Sequence, residues 1–165
     1  KERAEKYLSL LGVPLDQIER SPFDLSGGQM RKIAIAGILA MEPEVLIVDE
    51  PTAGLDPKSH IETMKLFKQI QEEYNITIIL VTHDMNDVFE YTDEVKLLGS
   101  GKLIKEGRTL DILTDKELLT DHYLEIPDIV RLTHDVREKG VALGRMPRNT
   151  DEFISLYKEW RDRRA

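Results

Sequence analysis

The sequence contains no cysteine. That excludes thiolate metal sites and disulfides, and it fits a reducing compartment. It also lacks an excess of positive charge. Against 31 Asp and Glu stand only 23 Lys and Arg, a net charge of −8. No broad basic surface for nucleic acid is therefore expected, although a local basic patch can sit on an acidic protein. No apolar run approaches the roughly 18 residues of a membrane-spanning helix, and no signal-peptide pattern opens the chain. Internal repeats and low-complexity tracts are absent as well. What is there is ordinary globular material: 165 residues, 41% apolar and 33% charged. That suffices for one domain with a hydrophobic core, or for part of a larger one. Lys1 leads straight into a helical pattern, which is expected of a piece of a longer protein.

The apolar spacing of Ala4, Tyr7, Leu8 and Leu11 predicts a helix stopped by Gly12 and Pro14. A loop through Pro22 leads to Leu25-Ser26-Gly27-Gly28-Gln29, and a helix is expected from about Met30 to Met41. Val45 to Val48 is an uninterrupted apolar run, too short for a helix and closed by Asp49-Glu50-Pro51. Such a run predicts a strand of a parallel sheet, buried on both faces. Asp56-Pro57 reads as an N-cap with proline at the first helical position, opening a helix with Ile61, Met64, Phe67 and Ile70 on one face. A second buried strand, Ile76 to Val81, ends at Thr82-His83-Asp84. A short helix with Met85, Val88 and Phe89 then leads to paired strands, Glu94 to Leu98 and Lys102 to Glu106, turned by Gly99-Ser100-Gly101. Alternating strands and helices predict an α/β parallel sheet with helices on its faces. After about Leu113 only helices are expected, including Pro127 to Lys139 and Thr150 to Arg163. The division expected is therefore 1–113, an α/β part, and 114–165, a helical extension.

Three places can carry chemistry. Ser26 followed three residues later by Gln29 is a capping box, and starting a helix is purpose enough for it. Two glycines in a first helical turn, however, cost about 1 kcal/mol each relative to alanine. Glycine there lets another backbone or a phosphate come close to exposed amides. Asp49 and Glu50 stand at the C-terminal end of a strand, the edge where open α/β sheets bind ligands. One carboxylate there can hold Mg²⁺, directly or through water, and the other can polarise an attacking water. Capping the strand and its turn is the plainer reading. His83, at the end of the next strand, can bond a terminal phosphate or hold the attacking water, or it can be structural.

Read together, Leu25 to Gln29, the run from Leu46 to Pro57, and Thr82-His83-Asp84 resemble the ATP-binding-cassette ATPases. They supply that family's signature, Walker B strand, D-loop and switch histidine, in the family's order, over residues 1 to about 113. The resemblance implies a P-loop NTPase fold with ATP and Mg²⁺ as its ligands. It implies that Asp49 serves the Mg²⁺ site, Glu50 is the general base, His83 contacts the γ-phosphate and Asp56 couples two halves of a dimer. Ser26, Gly27, Gly28 and Gln29 would close over ATP bound to a partner subunit.

One departure is large. The Walker A loop, G-x-x-x-x-G-K followed by Ser or Thr, is not in this sequence. Gly99-Ser100-Gly101-Lys102 imitates its end, but Lys96 stands where the first glycine belongs and Leu103 follows the lysine. That stretch also joins two strands, whereas a P-loop joins a strand to a helix. No segment before Ser26 supplies the Q-loop glutamine either.

Within the family, the run from Ser26 to Ala36 resembles the ATPases of energy-coupling-factor importers and their cobalt-transport relatives. Leu124-Glu125-Ile126-Pro127 and the ending Leu156-Tyr157-Lys158-Glu159-Trp160 are similar to the C-terminal extension of those ATPases. The resemblance implies import of vitamins or of cobalt or nickel ions, at the cytoplasmic face of the membrane. It also implies a second ATPase subunit, a paralogue in a heterodimer, with a transmembrane coupling protein and a substrate-binding membrane component; no nucleic acid is implied. The alternative is a soluble cassette ATPase of the translation or DNA-repair type. A non-catalytic subunit is disfavoured by Asp49, Glu50 and His83. Phe153, Ile154, Leu156, Tyr157 and Trp160 give the last helix a wide apolar face, either packed within the chain or forming a subunit interface. Arg161, Arg163 and Arg164 read as a solvated tail.

Overall fold

Helix α1 (Glu2–Leu10) buries Tyr7 and Leu8, and the chain leaves it through Gly12 at φ +66°. The Gly12 N–H donates to the Ser9 carbonyl at 3.0 Å and the Val13 N–H to the Leu8 carbonyl at 2.9 Å. Those two bonds satisfy carbonyls that a helix end otherwise leaves open, and the left-handed residue they need is glycine. The stop expected at Gly12 is thus a closed C-terminal motif. This computed structural model describes residues 2–14, 21 and 24–164, so Pro22 lies outside the described residues. Two compact units divide the chain, Lys1–Val81 and Thr82–Ala165.

In the first unit, α2 (Gly27–Leu39) begins three residues before the predicted start, because the Ser26–Gln29 capping box draws both glycines into the helix. It buries Ile35, Ala36 and Leu39. Strand β1 (Val45–Asp49) pairs in parallel with β2 (Thr77–Val81), from Val45 opposite Thr77 to Asp49 opposite Val81. The intervening α3 (Pro57–Tyr74) is the crossover, capped by Asp56 and ended by Asn75 at φ +49°. Tyr7 and Tyr74 lean on each other with ring centroids 5.2 Å apart, tying α1 to the end of α3.

Two expectations need correction here. The strands are not buried on both faces: Val45, Ile47, Ile79 and Val81 are 50, 65, 46 and 47% exposed. Side chains alternate along a strand, and among the described residues this sheet has two strands, so only the face that includes Leu46 is packed. Ile61, expected on the buried face of α3, is 49% exposed, while Met64, Phe67 and Ile70 are buried.

The second unit begins with α4 (Met85–Tyr91), capped by Asp84. Strands β3 (Glu94–Gly99) and β4 (Lys102–Arg108) form an antiparallel hairpin with an irregularity between Leu97 and Leu98. Ser100 and Gly101 turn it with φ of +49° and +73°, as a two-residue hairpin turn requires. Gly101-Lys102 is therefore a turn, not a phosphate loop. Helices α5 (Thr109–Leu113), α6 (Lys116–Asp121), α7 (Asp128–Glu138) and α8 (Thr150–Asp162) follow. Met85, Val88 and Phe89 of α4 share one core with Ile112, Leu113, Leu119 and Val130. On α8 only Leu156 is buried, while Ile154 and Tyr157 are 43 and 39% exposed. Its aromatics form a ladder, Phe153 stacked on Tyr157 and Tyr157 tilted against Trp160. Arg164 lies over the Trp160 ring, and Arg161 and Arg163 bond within their own helix end.

Candidate functional site

The start of α2 is built by reciprocal bonds. The Gln29 N–H donates to Ser26 Oγ at 3.3 Å, and the Ser26 N–H donates to Gln29 Oε1 at 2.9 Å. The box explains Ser26 and Gln29. It does not explain the glycines between them. Gly27 and Gly28 are exposed, neither has a positive φ, and a Cβ built on either would meet nothing within 4 Å. Among the described residues no packing or backbone demand selects glycine at these positions, and the helix loses stability by having it. Beside them lies a cavity of about 230 Å³, lined by Gly12, Pro14, Ser26, Gly28, Gln29 and Lys32 among others. Lys32 was not singled out from the sequence. Its i, i+4 spacing from Gly28 on a helix was the available signal, and it adds a cation to a helix end that already favours anions.

At the end of β1, Asp49 is exposed and Glu50 half-buried. Glu50 has φ +44°, a left-handed backbone that non-glycine residues rarely adopt. Its N–H donates to the Val81 carbonyl at 2.8 Å, so the acid pair sits beside the end of β2. The turn that follows is tight. The Ala53 N–H donates to the Glu50 carbonyl and the Leu55 N–H to the Thr52 carbonyl, each at 3.2 Å, Thr52 is buried, and Gly54 is left-handed. It delivers Asp56 to the start of α3, where Oδ1 accepts from the Lys58 and Ser59 N–H groups at 3.1 Å each. The Ser59 hydroxyl bond first, then the Ser59 and Lys58 amides, hold the Asp56 carboxyl below the usual carboxylate range.

His83 is exposed and belongs to the second unit, two residues beyond the end of β2. Its neighbours are pinned. The Asp84 N–H donates to Thr82 Oγ1 at 3.1 Å, and Asp84 Oδ1 accepts from the Asn86 and Asp87 N–H groups. The structure thus places Asp49 and Glu50 at one strand end, Asp56 at the start of α3, and Ser26 to Gln29 at the start of α2.

The family model for ABC transporters matches residues 1–53, the stretch holding Ser26 to Gln29 and the acid pair. The energy-coupling factor transporter ATP-binding protein EcfA2 of Staphylococcus saprophyticus is 47% identical over 163 residues, 98% of this chain. The chain belongs to the ATP-binding-cassette ATPases. It spans 57% of that relative's length, so the cassette seen here is a part of what its relatives contain. Among solved cassettes, cbiO1 of Clostridium perfringens, described as part of the ABC transporter complex cbiONQ, matches with 40% identity and a TM-score of 0.62. That match covers 81% of this chain and 53% of cbiO1. A dimeric cassette in a post-hydrolysis state, bound to ADP and Pi, matches with 32% identity and a TM-score of 0.55, covering 66% of this chain and 46% of its own.

Proposed function

We propose that this chain is the signature, Walker B and switch-bearing part of the ATP-hydrolysing subunit of an energy-coupling-factor importer. The observation that carries the proposal is the open pair Gly27 and Gly28 on a capped helix start, destabilising for the chain itself and useful to an incoming phosphate. In the proposed dimer, Ser26, Gly27, Gly28 and Gln29 close over ATP held by a second ATPase subunit, a paralogue. Asp49 offers Mg²⁺ an exposed hard oxygen ligand, which fits that ion's preference. Glu50 accepts the proton of the attacking water, His83 holds the γ-phosphate and the water in line, and Asp56 joins the two halves. Residues 1–113 form the cassette part and 114–165 a helical extension. The relatives' names support a place in a membrane transporter complex, with a transmembrane coupling protein and a solute-binding membrane component, at the cytoplasmic face. Vitamins or cobalt or nickel ions are the proposed cargo. Nothing in those names favours the translation or repair alternative.

The deciding experiment uses the full-length protein with its partner subunit. Gly28→Asp is expected to nearly abolish ATP turnover with the subunit still folded, because a carboxylate would meet the γ-phosphate where water is excluded. Unchanged turnover per folded dimer would overturn the proposal.

A further inference from the structure

Helix α4, separated from His83 only by its N-cap Asp84, is seven residues long. So short a helix has little stability of its own and stands where its tertiary contacts put it. Its inner face is apolar: Met85, Val88 and Phe89 pack with Leu119 and Val130 of the C-terminal helices. Its outer side is not packed. A cavity of about 540 Å³ lies there, lined by Asn86, Glu90, Asp128, Ile129, Leu132 and Arg148 among others. Polar contacts across this gap hold α4 at each end.

At the front end, Asn86 Oδ1 accepts a hydrogen bond from the Asp128 N–H at 2.8 Å. Helix α7 has Pro127 at its N-cap and no side-chain cap of its own. Asn86 therefore satisfies one of the open amides of a helix 42 residues further along the chain. At the back end, the Arg148 guanidinium donates to the Thr92 carbonyl, at the C-cap of α4, and lies over the Phe89 ring with 5.3 Å to its centroid. Arg148 is itself held by its backbone N–H, which donates to Glu152 Oε2 of α8 at 3.0 Å. His83 stands between Thr82 and Asp84, which are bonded to each other, and Asp84 caps α4. A shift of α4 is transmitted to His83 through one residue.

We propose that Asn86 and Arg148 are positioning residues for His83: the C-terminal helices set where the switch histidine stands by clamping α4 at both ends. This rests on the assignment of His83 to the γ-phosphate made above. A histidine that only aligns the terminal phosphate and the attacking water acts on the chemical step, so its displacement should lower kcat and leave nucleotide binding intact.

The test measures steady-state ATP turnover of the full-length protein with its partner subunit. Asn86→Ala is expected to lower kcat on the order of tenfold, because a misplacement near 1 Å can cost about 100-fold, with the half-saturating ATP concentration unchanged. Asn86→Asp keeps the acceptor at the start of α7 but adds a charge near Asp84, Asp87 and Asp128, so it should restore turnover when assayed at high ionic strength, where that repulsion is screened. Arg148→Lys keeps the charge but loses the planar fork over Phe89, and should show the same loss in kcat. Arg161→Ala, which breaks an exposed pair with Asp162 at the end of α8 and touches neither α4 nor Arg148, should leave turnover alone. Normal kcat in both Asn86→Ala and Arg148→Lys overturns the proposal, as does a loss confined to ATP affinity or one that Asn86→Asp does not restore. His83→Ala, run beside them, separates the two levels. If it leaves turnover intact, the assignment of His83 itself is wrong, whereas a dead His83→Ala with normal clamp variants removes the clamp alone.

Discussion

Glu50 donates its backbone N–H to the carbonyl of Val81 at 2.8 Å while its own φ is +44°. The last residue of the first strand's acid pair is thereby tied to the end of the second strand in a conformation costing roughly 1–3 kcal/mol for a residue with a side chain. Strain of this kind, held by a hydrogen bond at a strand end, is the backbone counterpart of the chemistry proposed for the carboxylate.

That relationship separates two substitutions. Glu50→Gln in the full-length dimer is expected to stop hydrolysis and preserve ATP binding, because the amide keeps the shape and loses the base. Glu50→Gly should stop hydrolysis too, yet melt no lower than the parent, since glycine adopts a positive φ without penalty. A turnover assay with a thermal melt reads both. Near-normal turnover in Glu50→Gln would show that Glu50 is not the base.

The glycines divide the same way. Gly12→Ala puts a Cβ on a left-handed residue and should cost about 1 kcal/mol of stability in a urea melt. Gly27→Ala has open space and a helical backbone, and should raise stability by about 0.5–1 kcal/mol. In the full-length dimer Gly27→Ala should nonetheless lower ATPase activity. A stable and fully active variant would leave the glycine without a role.

His134 carries a buried Nε2 atom without a hydrogen-bond partner. Burial first, then the charges of Lys116 and Arg137, hold its pKa below the ordinary value of 6.5. The unfolded chain therefore takes up a proton before the folded one does. The neutral folded form keeps its full stability above about pH 6.5, and the melting temperature should fall as pH drops through that value. His134→Gln should flatten the decline between pH 7 and 5.5. A decline of undiminished slope in that variant would assign it to other groups.

The 165-residue chain by itself is expected to show no Mg²⁺-dependent ATP turnover, since it has no lysine and amide cradle for the β- and γ-phosphates. A phosphate-release assay on the purified chain checks this.

Local chemistry was legible from the residues alone. Gly12 stops α1, Ser26 and Gln29 make a capping box and Asp56-Pro57 opens α3, because each of these outcomes depends on a backbone and side chains within a few positions. The order of motifs around Ser26, Asp49, Glu50 and His83 was likewise enough to reach the family. Burial was not legible. Val45 to Val48 and the run up to Val81 read as covered on both sides, since an apolar run records that a side chain avoids water somewhere, not which atoms in this chain do the covering. The left-handed Glu50 left no mark in the sequence either, because glutamate adopts that conformation only where a neighbour such as the Val81 carbonyl imposes it. The place of Asn86 was decided in the same way. Nothing near it in sequence calls for its side chain, and only the packing of α4 against α7 brings the Asp128 N–H, 42 residues away, within 2.8 Å of its carbonyl oxygen.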